Sequence, residues 1–296
     1  MMNIQRKVVA ITGAGRGIGR AIALRLASQG AKVVLGARSE SEIEAVAHQV
    51  TASGGEAAYC STDVTRRADL EALVELACNR FGRLDVLVNN AGIGPISRFD
   101  ALRVDEWDAV IDVNIKGTLY GIAAALPVFQ RQETGHFVNI LSTAGIKILP
   151  TMGVYAATKN ALRTATEALR QEAGPYLRVT EVSPGFVDTD FASSIGDPAV
   201  RAAIEARKKA FAIGPDAIAR AGLSPSSSRP MSRSAASWCV PRRRTDRSGQ
   251  PSPNLCPLGG RKRSLAFRRV VSASRVVAQK LNSLSRADWS SRAFAS

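Results

Sequence analysis

Three side chains near the middle of the chain have the types and spacing for proton chemistry. Ser142 closes the apolar stretch HFVNILS, and Tyr155 and Lys159 follow in GVYAATKNALRTATEALRQE. A tyrosine and a lysine at i and i+4 on an alanine-rich helix project from one face, so the ammonium can approach the phenol. To serve as general acid and base near neutrality, Tyr155 must titrate well below the ordinary phenol value of about 10, and each unit requires about 1.4 kcal/mol of charge stabilisation. One cation at about 4 Å contributes about 4 kcal/mol at an effective dielectric near 20, so Lys159, helped by a second positive charge such as an oxidised cofactor carries, is sufficient in magnitude. Ser142 is suited to hydrogen-bond an oxygen on which charge develops.

A second constellation lies in AITGAGRGIGRAIALRLA. A strand ending at Thr12 runs into Gly13, Gly15, Gly17 and Gly19, which allow a tight turn whose backbone can approach a pyrophosphate. The helix that follows offers unpaired N–H groups and the positive end of its dipole. The turn therefore reads as a dinucleotide cradle. Its spacing is T-G-x-x-x-G-x-G and not G-x-G-x-x-G, whose third glycine would fall at Ile18.

The elements that must position these groups follow from periodicity. Short β-branched runs, KVVAIT, KVVLGA, LDVLVNNAG, HFVNILS and RVTEVSPG, alternate with helical stretches such as GRAIALRLASQ and SEIEAVAHQVTASG. Strands apolar nearly throughout are buried on both faces, so the expected fold class is α/β, a doubly wound parallel sheet of the Rossmann type in a single domain. After residue 221 the alternation fades into Ser, Pro and Arg. The expected division is a catalytic domain over residues 1–221 and a disordered basic tail over residues 222–296. Charge divides the same way: from Gly222 onward there are 15 Lys and Arg against 2 Asp and Glu, whereas residues 1–221 hold 25 against 23.

The four cysteines, Cys60, Cys78, Cys239 and Cys256, have no CxxC spacing, so no metal knot or disulfide framework is expected and a reducing cytoplasm fits. The first residues lack the long apolar region and cleavage site of a leader, and no apolar run is judged long enough to span a membrane. His48 and His136 are expected at the surface, Trp107 in helix packing, and Cys60 and Cys78 in the core.

TGAGRGIG, the NNAG of Asn89–Gly92, Asn114 in DVNIKG, Ser142, YAATK and Pro184–Gly185 together resemble the short-chain dehydrogenase/reductase family in its compact form. These six elements stand in the family's order over about residues 5–213. The resemblance implies that Asn114, Ser142, Tyr155 and Lys159 form the catalytic tetrad, with Asn114 holding a water that links Lys159 to solvent. It implies a nicotinamide cofactor on Gly13, Gly15, Arg16, Gly17, Ile18 and Gly19, with Asn90, Ala91 and Gly92 beside it. Asp63 and Val64 match the family's Asp-Val pair at the adenine, Pro184 and Gly185 precede the segment that closes the pocket, and Thr189 approaches the nicotinamide amide. It also implies hydride transfer to or from a small ketone, aldehyde or secondary alcohol, and a homo-oligomer.

Cofactor choice has a local reading. An acidic residue after the second strand would bind a ribose 2′-hydroxyl and repel a 2′-phosphate, but the stretch here is Gly36-Ala37-Arg38. Arg38, with Arg16, offers two cations to that phosphate, so NADP is expected, with NAD possible. A regulatory dinucleotide sensor whose basic tail binds nucleic acid is the competing class, favoured by PRRRTDR and GGRKRS. A sensor has no need of the Ser-Tyr-Lys spacing, and the tail has no recognisable nucleic-acid motif. The tail has a different explanation in the genetic code. Read from the third base of each codon, Pro230 to Pro241 permits Asp-Val, four codons, Ile-Val, a forced Val at the Trp238–Cys239 junction, then Arg-Pro. The family's closing strand reads approximately so. The expectation is an out-of-frame C-terminus, a missing last strand, an open sheet edge, and an enzyme impaired in activity and assembly.

Overall fold

The apolar runs become strands because their alternate side chains feed two separate cores. The computed structural model describes residues 4–222 and the backbone of Ala236–Cys239. Within it, β1 (Val8–Thr12), β2 (Lys32–Ala37), β3 (Glu56–Ser61), β4 (Val86–Asn89), β5 (Gly135–Ile140), β6 (Leu177–Pro184) and β7 (Ala236–Cys239) form one sheet in the order β3-β2-β1-β4-β5-β6-β7. Every pairing is parallel. Val9, Ile11, Val33 and Leu35 face a core shared with α1 (Gly17–Ser28) and α2 (Glu40–Ala52). Val8, Ala10, Leu87 and Phe137 face the opposite core, with α3 (Arg67–Phe81) and α5 (Gly117–Gln132). Helices on both faces make the sheet doubly wound, as its nearly continuous apolar strands require.

The chain leaves β1 for β2 and β3, then crosses back to β4, so strand order reverses between β1 and β4. A crevice opens beyond the carboxyl ends at such a point. α4 (Val104–Ile111) joins α5 through a π-turn, Asp112–Lys116, which carries Asn114. α6 (Gly153–Glu172) carries Tyr155 and Lys159, and α7 (Pro198–Phe211) and α8 (Pro215–Gly222) follow β6.

Four expectations are corrected. β7 pairs with β6 from Glu181↔Ala236 to Pro184↔Cys239, so the edge expected to lack its last strand carries one. Parallel pairing uses backbone groups, and the segment between Pro230 and Pro241 contains no proline to break it. The disordered tail and its out-of-frame origin otherwise concern residues outside those described. His136 is buried, 5% exposed, because β5 is buried along its whole length; its Nε2 lies 2.8 Å from Thr180 Oγ1. Cys60 and Cys78 are half-buried. Finally, Val104–Gln132 is a continuous helical run with mean hydropathy 1.3 in its most apolar window, long and apolar enough by composition to cross a bilayer. Ala125, Val128 and Phe129 of that run are buried in the sheet core, whereas Val104, Ile111 and Leu119 are exposed.

Candidate active site

Both constellations meet at the carboxyl ends of the strands. Gly13 and Gly17 adopt positive φ, +64° and +54°, which side chains avoid. A Cβ on Gly19 would fall on the Gly13 carbonyl oxygen, so the turn closes onto the start of α1 only with glycine there. Thr12, which spacing did not single out, holds this turn to β4: its hydroxyl accepts the Asn90 and Ala91 N–H groups, both at 3.0 Å. Asn90 reciprocates, its Nδ2 donating to the carbonyls of Thr12 at 2.8 Å and Gly13 at 3.1 Å. Asn90 therefore braces the cradle with its side chain.

The N-terminus of α1 is uncapped. Arg16 stands at the cap position with extended backbone and no side-chain cap, and no acidic residue lies in the first turn. Ser39 caps α2 and Asp197 caps α7, while α3, α4 and α6 have no side-chain cap, as at α1. N–H groups and a helix dipole left without a side-chain acceptor are what a pyrophosphate needs, so the cradle fits a dinucleotide. Half-buried Ile18 belongs to that first turn, and Arg16 and Arg38 are exposed. Asp63 accepts the Thr65 N–H at 2.9 Å and hydroxyl at 2.8 Å. Burial pushes the Asp63 carboxyl up, but the Thr65 bonds, with Arg38 and Arg66 nearby, outweigh it and hold the group below its ordinary value. Val64 packs against Gly117, where a Cβ would approach it to 2.8 Å. Thr189, in the segment after Pro184–Gly185, reaches the other side of the cradle, its Cγ2 lying 3.2 Å from where a Gly17 Cβ would stand.

Ser142 lies two residues beyond β5 and caps the short 3₁₀ turn Thr143–Gly145, its Oγ accepting the Ala144 N–H at 3.1 Å. Tyr155 and Lys159 lie one turn apart on α6, 8% and 5% exposed, and Lys159 Nζ is 5.9 Å from the Tyr155 ring centroid. Nζ also donates to the Ile140 carbonyl at 3.1 Å. Burial pushes the Tyr155 phenol up to about 12, partly offset by a hydrogen bond with Ser142, and pushes Lys159 down to about 8. Burial therefore sets both groups against their charged forms, the direction opposite to the lowered phenol expected with Lys159 and an oxidised nicotinamide beside it. Asn114 is fully buried in the π-turn. Its Oδ1 accepts the Ile93 N–H at 2.9 Å, while its Nδ2 donates to the Ile93 carbonyl at 3.0 Å and to Thr158 Oγ1 at 3.1 Å. It thus ties the loop after β4 to α6. Gly92 gives both groups room: a Cβ there would stand 3.2 Å from Asn114 Oδ1 and 3.5 Å from Lys159 Nζ.

Sequence spacing also missed the cover over Tyr155. Phe191, in the 3₁₀ turn Asp190–Ser194, packs edge-on against it with ring centroids 5.4 Å apart. Lys208 of α7 holds that segment, donating to the Thr189 carbonyl at 3.2 Å and pairing with Glu205 at 3.1 Å and Asp188 at 3.6 Å. Trp107 stacks edge-on with Phe99, the packing role expected for it.

A doubly wound parallel sheet with an uncapped glycine turn at its switch point, and with half-buried Ser142 beside buried Tyr155 and Lys159 at the neighbouring strand end, has the makeup of a nicotinamide-dependent oxidoreductase. Comparison with known proteins makes the family specific: the short chain dehydrogenase model matches residues 7–199, and the chain belongs to that family. An uncharacterized oxidoreductase of Listeria monocytogenes is 44% identical over 221 residues, covering 74% of this chain and 89% of the relative. A short-chain dehydrogenase/reductase from Burkholderia phymatum in complex with NAD superposes with TM-score 0.75 at 29% identity, covering 80% of this chain and 90% of that one. An alcohol dehydrogenase from Thermococcus sibiricus complexed with 5-hydroxy-NADP gives TM-score 0.71 at 33% identity, covering 81% and 100%. The protein is an oxidoreductase acting on CH–OH or C=O groups with a nicotinamide cofactor.

Proposed function

We propose that the chain is an NADP-dependent enzyme that interconverts a small ketone or aldehyde and its alcohol, with Tyr155 as the proton donor and acceptor. The observation that carries this reading is the burial of Tyr155 beside Lys159 and Ser142, at the strand ends that also hold the glycine turn. The nicotinamide, when bound, supplies or receives the hydride. Tyr155, kept protonated by burial, gives its proton to the carbonyl oxygen in the reductive direction. Ser142 has its oxygen engaged by the Ala144 N–H and its hydroxyl bonded to Tyr155, and that hydroxyl turns to donate to the substrate oxygen when one arrives between them. Lys159 steadies the negative charge that the phenol gains, and Asn114 holds the water that returns a proton to it. The cofactor is held by the turn Gly13–Gly19, by Asp63 and Val64, by Asn90, Ala91 and Gly92, and by Pro184, Gly185 and Thr189. Preference for NADP rests on exposed Arg38 and Arg16 and on the lack of a carboxylate at Ala37-Arg38-Ser39. The family's homo-oligomeric assembly is proposed for this chain as well.

The test is cofactor oxidation followed with a panel of carbonyls. Wild-type protein is expected to turn over, and Tyr155→Phe to lose about 10²–10⁴-fold in kcat with cofactor affinity retained. A Tyr155→Phe protein that keeps most of its turnover would overturn the assignment.

A further inference from the structure

Tyr155 is covered, and its cover is unequal. Val110, Met152 and Ala156 pack around it from α4 and from the start of α6, where backbone bonding fixes them. Phe191 comes instead from a five-residue 3₁₀ turn flanked by extended Thr189 and Ile195, and is itself half-buried. Its ring meets that of Tyr155 at 62° and presses against the backbone of Gly94, where a Cβ would fall inside the ring. A cleft of about 270 Å³ has Phe99, Ile148 and Thr151 in its walls, and a larger one of about 620 Å³ lies between α1, from Gly17 to Ser28, and the segments holding Thr189 and Asp216. Tyr155 lines neither. With Tyr155 8% exposed, a substrate that reaches its hydroxyl has to displace part of this cover, and Phe191 is the part carried by an irregular segment and not by an α-helix.

We propose that Phe191 determines specificity: its ring closes over Tyr155 in the free enzyme, yields to the incoming substrate, and then forms the apolar wall against which an uncharged carbonyl compound is seated. The inference rests on Tyr155 being the proton donor. It adds the size and charge class of the substrate. Ile93, Ile96, Leu149, Met152 and Phe186 make the remaining surroundings apolar. The cations that touch the closing segment are already engaged: Lys208 with Asp188 and Glu205, Arg103 with Glu106, and Arg201 with the Ile195 carbonyl. A substrate carboxylate would find them paired.

The experiment compares wild type, Phe191→Ala, Phe191→Trp and Gly94→Ala on acetone, cyclohexanone, a bicyclic aryl ketone and a 2-oxo acid. In Phe191→Ala the ratio of kcat/KM for the bicyclic ketone to that for acetone should rise at least about tenfold, mostly through KM, and in Phe191→Trp it should fall by a similar factor. Gly94→Ala, which puts a methyl in the ring's seat, should raise the ratio in wild type and change it less than about twofold once Phe191 is alanine. The shielding itself is read by tetranitromethane nitration with site-resolved mass spectrometry. Tyr155 should react at least about tenfold faster in Phe191→Ala, with Tyr176, 59% exposed, unchanged as internal standard. Active enzymes with size ratios within twofold of wild type would overturn the proposal and leave the role of Tyr155 standing, as would a clear preference of wild type for the 2-oxo acid. Wild type inert on every carbonyl would overturn the proposed function, and the nitration rates alone would then decide the shielding.

Discussion

Arg38 is the residue on which the proposed preference for NADP rests. It follows β2, is exposed, and lies close enough to Asp63 for its charge to hold that carboxyl down. A guanidinium in that position can meet a 2′-phosphate, and a charge-assisted hydrogen bond is worth about 1.5–3 kcal/mol, or about 10–100-fold in affinity. Arg38→Ala is therefore expected to raise the Kd for NADPH by that factor and the Kd for NADH by less than about threefold, measured by fluorescence titration. Equal losses for both would show that Arg38 does not read the phosphate. The Tyr155–Lys159 pair makes a related point. Burial opposes charge on both, pushing the phenol up to about 12 and the lysine down to about 8. A phenolate base requires further positive charge in the site, which oxidised nicotinamide carries.

At the scale of the element, β5 shows what a central strand does to a polar residue. His136 sits where both sheet faces are covered, and burial, helped by the charge of Arg178, pushes its imidazole down to about 3 from an ordinary 6.5. The folded form then lacks a proton that the unfolded chain binds between these values. Stability contributed by keeping His136 neutral is complete above about pH 6.5 and is lost as pH falls toward about 3, at about 1.4 kcal/mol per unit at most. His136→Gln is expected to flatten the fall in urea midpoint between pH 7 and pH 4.5, even if its stability at pH 7 is lower. A fall as steep as wild type would place the acid sensitivity elsewhere. β3, like β7, is absent from the sequence reading: EAAYCS has no β-branched residue, and it becomes a strand because the edge of β2 offers it six paired positions. The π-turn at Asp112–Lys116 was equally invisible, since an extra residue in a helix leaves no mark on composition.

At the scale of the whole molecule, the open question lies at the β6 edge. β7 covers it through backbone pairing at four positions, Glu181 to Pro184. An uncovered edge strand invites association with other chains. A chain ended after residue 241 keeps β7, whereas one ended after residue 222 loses it. The shorter chain is expected to melt lower by about 3–8 °C, using about 2–4 °C per kcal/mol for a domain of this size, and to self-associate on light scattering. Equal melting temperatures and equal scattering would mean that β7 contributes nothing to the edge.

The sequence by itself determined the alternation of strands and helices, the glycine turn and the Ser-Tyr-Lys spacing, because each is written in local periodicity or in residues within a few positions of one another. Tertiary structure alone decided the rest. The Thr12–Asn90 brace joins residues 78 positions apart, and the bonds of Asn114 to Ile93 and Thr158 cross 21 and 44. The pKa directions of Tyr155, Lys159 and His136 depend on how much water is excluded around them, which no spacing records. Phe191 over Tyr155, seated on Gly94, is of the same kind: an apolar residue in an irregular segment carries no periodic signal, and only packing shows which ring it meets.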